Sequence, residues 1–80
     1  MRFNVAISRR DGLRDPEGVA TLRAVRDLGY TNVDEVHFGR IITVEIDSQD
    51  PISAQAQLVE MCERLLANPV IEDFAVELIE

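Results

Sequence analysis

Two Asp-Pro pairs, at 15–16 and 50–51, divide the 80-residue chain, and each has the sequence of a helix start. An aspartate at the N-cap accepts a hydrogen bond from a free amide of the first turn, and proline fits the first helical position because no amide hydrogen is needed there. The segments around the two pairs alternate apolar and polar residues, which is typical of half-buried strands. The chain is therefore predicted to place two helices among several strands.

The second predicted helix carries a wide apolar stripe. Five residues recur at helical spacing and share this face: Leu58, Met61, Cys62, Leu65 and Leu66. A stripe of this width must lie on a core. Asn68 and Pro69 end the helix, because asparagine tolerates a left-handed turn and proline cannot continue the helical hydrogen bonding. The first helix is predicted to end near Leu28, with Gly29 as the residue that follows its cap.

Four segments are predicted to be strands: residues 2–8, 33–38, 41–47 and the stretch that contains Phe74. Gly39 and Arg40 are predicted to form the turn of a hairpin between the second and third strands. The resulting order, β-α-β-β-α-β, is most simply folded as a ferredoxin-like sandwich. Residues 1–80 are thus expected to form a single α+β domain, with a four-stranded antiparallel sheet and both helices on one face.

The face of the sheet opposite the helices is predicted to be small and apolar for a surface in water. The residues that define this outer sheet face are Ala6, Ile41, Thr43, Ala75 and Ile79. A contiguous exposed apolar surface indicates an interaction site. A second copy of the chain is the expected cover, so we predict a homodimer or a higher homo-oligomer.

Composition excludes several classes of function. The net charge of −7, from 15 acidic and 8 basic residues, argues against a nucleic-acid partner, which requires a clustered positive surface. No apolar run approaches the roughly 18 residues of a membrane span, and the N-terminus has no signal-peptide pattern. We therefore expect a soluble, cytoplasmic protein. Its single cysteine, Cys62, lies on an apolar stripe and is expected to be a buried structural thiol.

No set of residues predicts catalysis in this chain. The stretch at 9–12 could be an acylphosphatase-like phosphate loop, but it contains one glycine only. His37 has no residue at metal-ligand spacing, and a lone histidine is more often structural or interfacial. Glu72 and Asp73 are adjacent in a strand and so point to opposite faces. The residues alone indicate a non-catalytic module without a cofactor or metal site.

Four motifs together resemble the PurS family, the small subunits of phosphoribosylformylglycinamidine synthase in de novo purine synthesis. They are DPEG at 15–18, LGY at 28–30, VHFGR at 36–40 and MCERLLANPVIEDF at 61–74. The resemblance implies a ligase complex with a large synthase subunit, which uses ATP and Mg²⁺, and a glutaminase subunit. It also implies that these two subunits carry the chemistry, while the small subunit bridges them and supports ammonia transfer.

The same resemblance directs attention to the predicted hairpin tip and to the exit of the second helix. The candidate subunit-interface residues are Arg40, Asn68, Val70, Ile71, Glu72 and Asp73. The alternative is a small-molecule-sensing regulatory domain of the ACT type, which has the same order of elements. An ACT-like domain would bind amino acids in a niche between subunits near the first loop, where Gly12 lies.

Overall fold

The computed structural model describes residues 1–10 and 12–80, so Asp11 of the predicted loop lies outside the described residues. The helices are α1 (Pro16–Asp27) and α2 (Pro51–Met61), and α2 continues into a π-helical turn over Cys62–Leu66. The strands are β1 (Arg2–Arg9), β2 (Gly39–Glu45) and β3 (Glu72–Leu78). Both Asp-Pro helix starts are confirmed, since Asp15 accepts from the Gly18 amide and Asp50 from the Ile52 amide.

The sheet has three antiparallel strands in the order β2-β1-β3. The central strand β1 supplies the middle of the core, because Phe3, Val5 and Ile7 are at most 2% exposed. Their neighbours in the register complete one apolar face: Val5, for example, lies between Ile42 and Val76. The other face of β1 carries the alternate residues and is open to solvent.

The buried face of the sheet is covered by α2 and the π-helical turn. Ala54, Leu58 and Cys62 are fully buried there, which confirms the expected position of the thiol. The predicted stripe is wrong for two residues, because Met61 is 39% and Leu65 is 82% exposed. The π-helical turn accounts for Leu65, because hydrogen bonds that span five residues rather than four rotate the side chains within the turn. Met61 precedes the turn as the last residue of α2.

The predicted four-stranded sheet is wrong, because residues 33–38 do not form a strand and the hairpin is absent. Gly39 and Arg40 lie within β2 instead of forming a turn. Residues 33–38 are bound to α1. The Arg26 guanidinium donates to the Val33 carbonyl at 3.0 Å, and the Phe38 amide donates to Asp15. These bonds hold the segment along the helix and away from the edge of the sheet.

The prediction that both helices cover one face of the sheet is also wrong. The hydrophobic core of the described residues contains none from α1, and Leu28 after its last turn is 77% exposed. Helix α1 and residues 30–38 form an arm, which accounts for the elongated dimensions of 49 × 27 × 14 Å. Helix α1 begins as predicted with a proline and is followed as predicted by Gly29, whose φ of +104° is left-handed.

Candidate functional site

An ion pair between Arg40 of β2 and Glu72 of β3 links the two edge strands at one end of the sheet. Arg40 lies opposite Ile7 in the register, so its side chain is on the same face of the sheet as the buried Ile7 side chain. Its two terminal nitrogens donate to the two carboxylate oxygens of Glu72, Nη1 to Oε2 at 2.7 Å and Nη2 to Oε1 at 3.1 Å. Nη2 also donates to the Leu66 carbonyl at 2.9 Å. The guanidinium therefore joins both edge strands to the last residue of the π-helical turn.

The segment between the π-helical turn and β3 is fixed by the same carboxylate. The Asn68 amide donates to Glu72 Oε1 at 2.7 Å, and the Glu72 amide donates back to the Asn68 carbonyl at 2.8 Å. The side chain of Asn68 accepts from the Val70 amide at 3.0 Å. Since the Glu72 side chain is only 12% exposed, its charge is used within the chain.

The Arg40 guanidinium and the Asn68 amide hold the pKa of Glu72 below its usual range. A carboxylate with a lower pKa in the folded than in the unfolded state adds stability above its unfolded pKa, and this stability is lost as pH falls through the folded pKa. We expect Glu72→Gln to lower the free energy of unfolding at neutral pH, with a difference that narrows in acid. Urea denaturation from about pH 7 to about pH 3 measures the change. Glu77→Gln on the exposed face of the same strand is the matched control, and a pH-independent difference for Glu72→Gln contradicts the argument.

Apolar side chains project into solvent where the second helical region ends. We define the exit segment as residues 65–70, in which Leu65 is 82% and Val70 is 74% exposed and Pro69 is exposed as well. Leu65 was missed as a functional candidate, because its spacing is that of a core residue in a continuous α-helix. Nothing in the sequence signals the π-helical turn that exposes it.

The six candidate interface residues lie at one end of the sheet and differ in exposure. Arg40, Asn68 and Glu72 are in one hydrogen-bonded cluster, and Val70 lies in the exit segment. Two further residues adjoin the first strand through Arg10: Ile71 accepts from its amide at 2.9 Å, and Asp73 accepts from its guanidinium at 3.1 Å. The sequence prediction that Glu72 and Asp73 point to opposite faces is confirmed, since Glu72 is nearly buried and Asp73 is exposed.

The strand register brings the residues of the outer sheet face together on one surface. Ala6 of the central strand lies between Ile41 and Ala75, and all three are exposed. Ile41 is 68% exposed, and Thr43 donates to the Asn4 side chain across the same face at 3.0 Å. Ile79, just after β3, is 46% exposed. Ala6, Ile41 and Ala75 thus form an exposed apolar patch at the centre of this face, and Asp73 and Glu77 of β3 lie on the same face.

A buried carboxylate joins the two parts of the arm, helix α1 and the segment that ends at Phe38. Asp15 accepts from the Gly18 amide at 3.0 Å and from the Phe38 amide at 2.8 Å, and these bonds hold its pKa below the usual range. Nearby, His37 Nε2 lies 3.0 Å from a Glu35 carboxylate oxygen. Within residues 1–10 and 12–80, no three His, Cys, Asp or Glu side chains are grouped so that they could hold a metal ion. No helix in the described part of the chain has the length and hydropathy to cross a membrane.

Comparison with known proteins identifies the family. The profile of the PurS family, described as phosphoribosylformylglycinamidine (FGAM) synthase, matches residues 2–80. The chain belongs to the PurS family. The FGAM synthase subunit PurS of Archaeoglobus fulgidus is 40% identical over 76 residues, which is 95% of each chain. As a PurS-family member, the chain is a subunit of FGAM synthase, a ligase of purine biosynthesis.

Solved PurS structures share the fold. The structure of Methanocaldococcus jannaschii PurS, a subunit of formylglycinamide ribonucleotide amidotransferase, is similar with a TM-score of 0.83 and 37% identity, covering 99% of this chain and 98% of that one. A chain of the PurLQS structure from Thermotoga maritima matches with a TM-score of 0.83 and 30% identity, covering 96% of both chains. The elongated arrangement of this chain is therefore similar to that of other PurS proteins.

Proposed function

We propose that this chain bridges the glutaminase and ATP-dependent synthase subunits of FGAM synthase and supports the passage of ammonia between them. The exposed apolar exit segment, fixed by the Arg40–Glu72 ion pair, is the observation that carries the proposal. The similar chain in the PurLQS structure of Thermotoga maritima supports it. In the proposed complex, the synthase subunit uses ATP and Mg²⁺, and the assembly works in the cytoplasm.

A small rigid subunit can serve such a reaction without reacting itself. Ammonia that is released at one active site must reach the other before water protonates or dilutes it. The interface must therefore exclude solvent and hold the two sites in register. The exit segment suits this task, because Leu65 and Val70 offer apolar contact area while hydrogen bonds at Asn68 and Glu72 fix the backbone beside them. Ile71 and Asp73 extend the proposed contact surface toward β1.

The chain is also proposed to assemble with itself. Among the described residues, β2 pairs only with β1, so its outer edge presents unpaired backbone groups. The arm leaves Val19 56% and Leu28 77% exposed, and the outer sheet face is apolar as well. A second copy that covers these surfaces removes them from water, which is favourable in proportion to the apolar area buried. Sedimentation of the chain as a monomer at micromolar concentration contradicts this part of the proposal.

Reconstitution with the larger subunits tests the bridging function. Purified synthase and glutaminase subunits are assayed with and without this chain, first with glutamine and then with ammonium as the nitrogen source. We expect glutamine-dependent turnover to require the chain, because ammonia from the glutaminase is otherwise lost to solvent. Ammonium-dependent turnover is expected to persist without the chain, because it needs no transfer between subunits.

Two results overturn the bridging function. One is equal glutamine-dependent turnover with and without the chain; the other is a chain that does not co-migrate with either subunit in size-exclusion chromatography. In the second case, thermal shift with amino acids tests the ACT-like alternative.

Val70→Asp tests the exit segment as the contact surface. A charge at this 74% exposed position is expected to leave the fold intact but to weaken binding to the larger subunits, because it opposes an apolar interface.

A further inference from the structure

We infer that Arg40 and Glu72 are positioning residues, which hold the exit segment in the conformation that the larger subunits bind without themselves touching those subunits. The inference rests on the proposed bridging function and gives these two residues a different role from that of Val70. A direct ionic contact with a partner requires charge that is free to meet it. Here both carboxylate oxygens of Glu72 accept from Arg40, and one also accepts from the Asn68 amide. The Arg40 side chain is 52% exposed, but both of its terminal nitrogens donate within the chain, to Glu72 and to the Leu66 carbonyl.

The ion pair joins parts of the chain that are distant in sequence. Arg40 lies 26 residues before Leu66, whose carbonyl it binds, and 32 residues before Glu72. One guanidinium thus holds Leu66, the last residue of the π-helical turn, close to Glu72, the first residue of β3. The chain reverses direction between these two residues. A planar fork of donors is suited to this role, because it fills several acceptors in one rigid geometry.

Fixing both ends determines how the exit segment is presented. Between them, the Val70 amide donates to the Asn68 side chain and the Ile71 amide to the Asn68 carbonyl, so the short turn is bonded internally as well. Val70, between the two ends, and Leu65, next to the fixed Leu66, are then held exposed in a defined conformation. A binding surface that is already ordered loses less conformational entropy on association, which increases affinity without any new contact.

A double-mutant cycle separates positioning from direct contact. The affinity for the synthase and glutaminase subunits together is measured by titration calorimetry for wild type, Arg40→Ala, Glu72→Ala and the double variant. Each single variant is expected to bind about tenfold more weakly, and the double variant also about tenfold, because all three lose the same constraint. Two independent contacts with the partners would instead give additive losses, about a hundredfold in the double variant. An additive result overturns the inference.

Amide hydrogen exchange is measured in the free chain, without the larger subunits. It therefore reports the order of the exit segment and is unaffected by the loss of a contact with a partner. The amides of Asn68 and Val70 are expected to exchange faster in the Arg40 and Glu72 variants. Val70→Ala should weaken binding with Asn68 exchange unchanged. Arg2→Ala breaks a comparable cross-strand pair with Glu45 at the opposite end of the sheet and should change neither quantity. If the Arg40 variants exchange faster but bind the larger subunits with wild-type affinity, the positioning role is overturned. If the wild-type chain itself fails to bind, the bridging function is overturned.

Discussion

Leu58→Ala is expected to lower the free energy of unfolding by about 2–5 kcal/mol, the range for removing a fully buried leucine from a core. Leu58 has no exposed surface and lies with Cys62 over the central strand. A chain of 80 residues has a total stability on the order of 4–12 kcal/mol, so this loss leaves a large unfolded fraction. Urea denaturation at one fixed protein concentration measures the effect, because self-association adds to apparent stability.

Leu65→Ala is the matched control for that experiment. It removes the same atoms from the same helical region, but at a side chain that is 82% exposed. A surface substitution of this kind is expected to change the free energy of unfolding by less than about 0.5 kcal/mol. Equal losses for Leu58→Ala and Leu65→Ala contradict the exposure assigned to the π-helical turn.

Gly18→Ala is expected to loosen the contact between α1 and residues 36–38, although alanine favours helices by about 1 kcal/mol over glycine. A Cβ at this position of α1 would overlap the Val36 carbonyl oxygen and lie 2.6 Å from an Asp15 carboxylate oxygen. Both are far inside van der Waals contact, so the backbone at Val36 and the capping carboxylate must move. Overpacking of this kind costs about 1–3 kcal/mol. Hydrogen exchange at the Phe38 amide, which binds Asp15, reports the loss.

The direction of the change in exchange rate at the Phe38 amide distinguishes a close contact at Gly18 from an ordinary helical position. Ala20→Gly, two residues along the same helix at an exposed position, is expected to destabilise α1 by about 1 kcal/mol through helix propensity alone. If Gly18 were an ordinary helical position, Gly18→Ala would stabilise α1 by a similar amount. Slower exchange at Phe38 in Gly18→Ala would therefore show that α1 and residues 36–38 do not approach closely.

Local signals in the sequence predicted the elements that short-range chemistry determines. Asp15 and Asp50 cap helices as expected, because an aspartate before proline has few other favourable conformations. The central strand follows from the alternation of Phe3, Val5 and Ile7, which only one face of a sheet can bury. The candidate interface residues were chosen from a predicted hairpin tip and from the exit of the second helix. The hairpin does not form, and Arg40 lies near the helix exit because it binds Glu72 and the Leu66 carbonyl.

The errors arose where tertiary contacts override pattern. Residues 33–38 have the alternation of a strand, yet the Asp15 carboxylate takes the Phe38 amide and Arg26 takes the Val33 carbonyl, which leaves these groups unavailable for a sheet. The pairing of Arg40 with Glu72 was equally hidden, because 32 residues separate them and sequence spacing does not reveal such distances. The exposure of Leu65 depends on the wider hydrogen bonding of the π-helical turn, which includes the bond from the Ala67 amide to the Cys62 carbonyl.

The central position of β1 has a consequence for synthesis of the chain. Phe3 pairs with Val44 on one side and with Leu78 on the other, so strand β1 is completed only by residues that are made much later in the chain. Until Leu78 leaves the ribosome, one edge of β1 lacks its neighbour and the surrounding apolar residues cannot be fully enclosed. Contacts between such distant residues also slow folding. The nascent chain must therefore wait for β3, and the loss of β3 residues would affect the centre of the fold rather than its periphery.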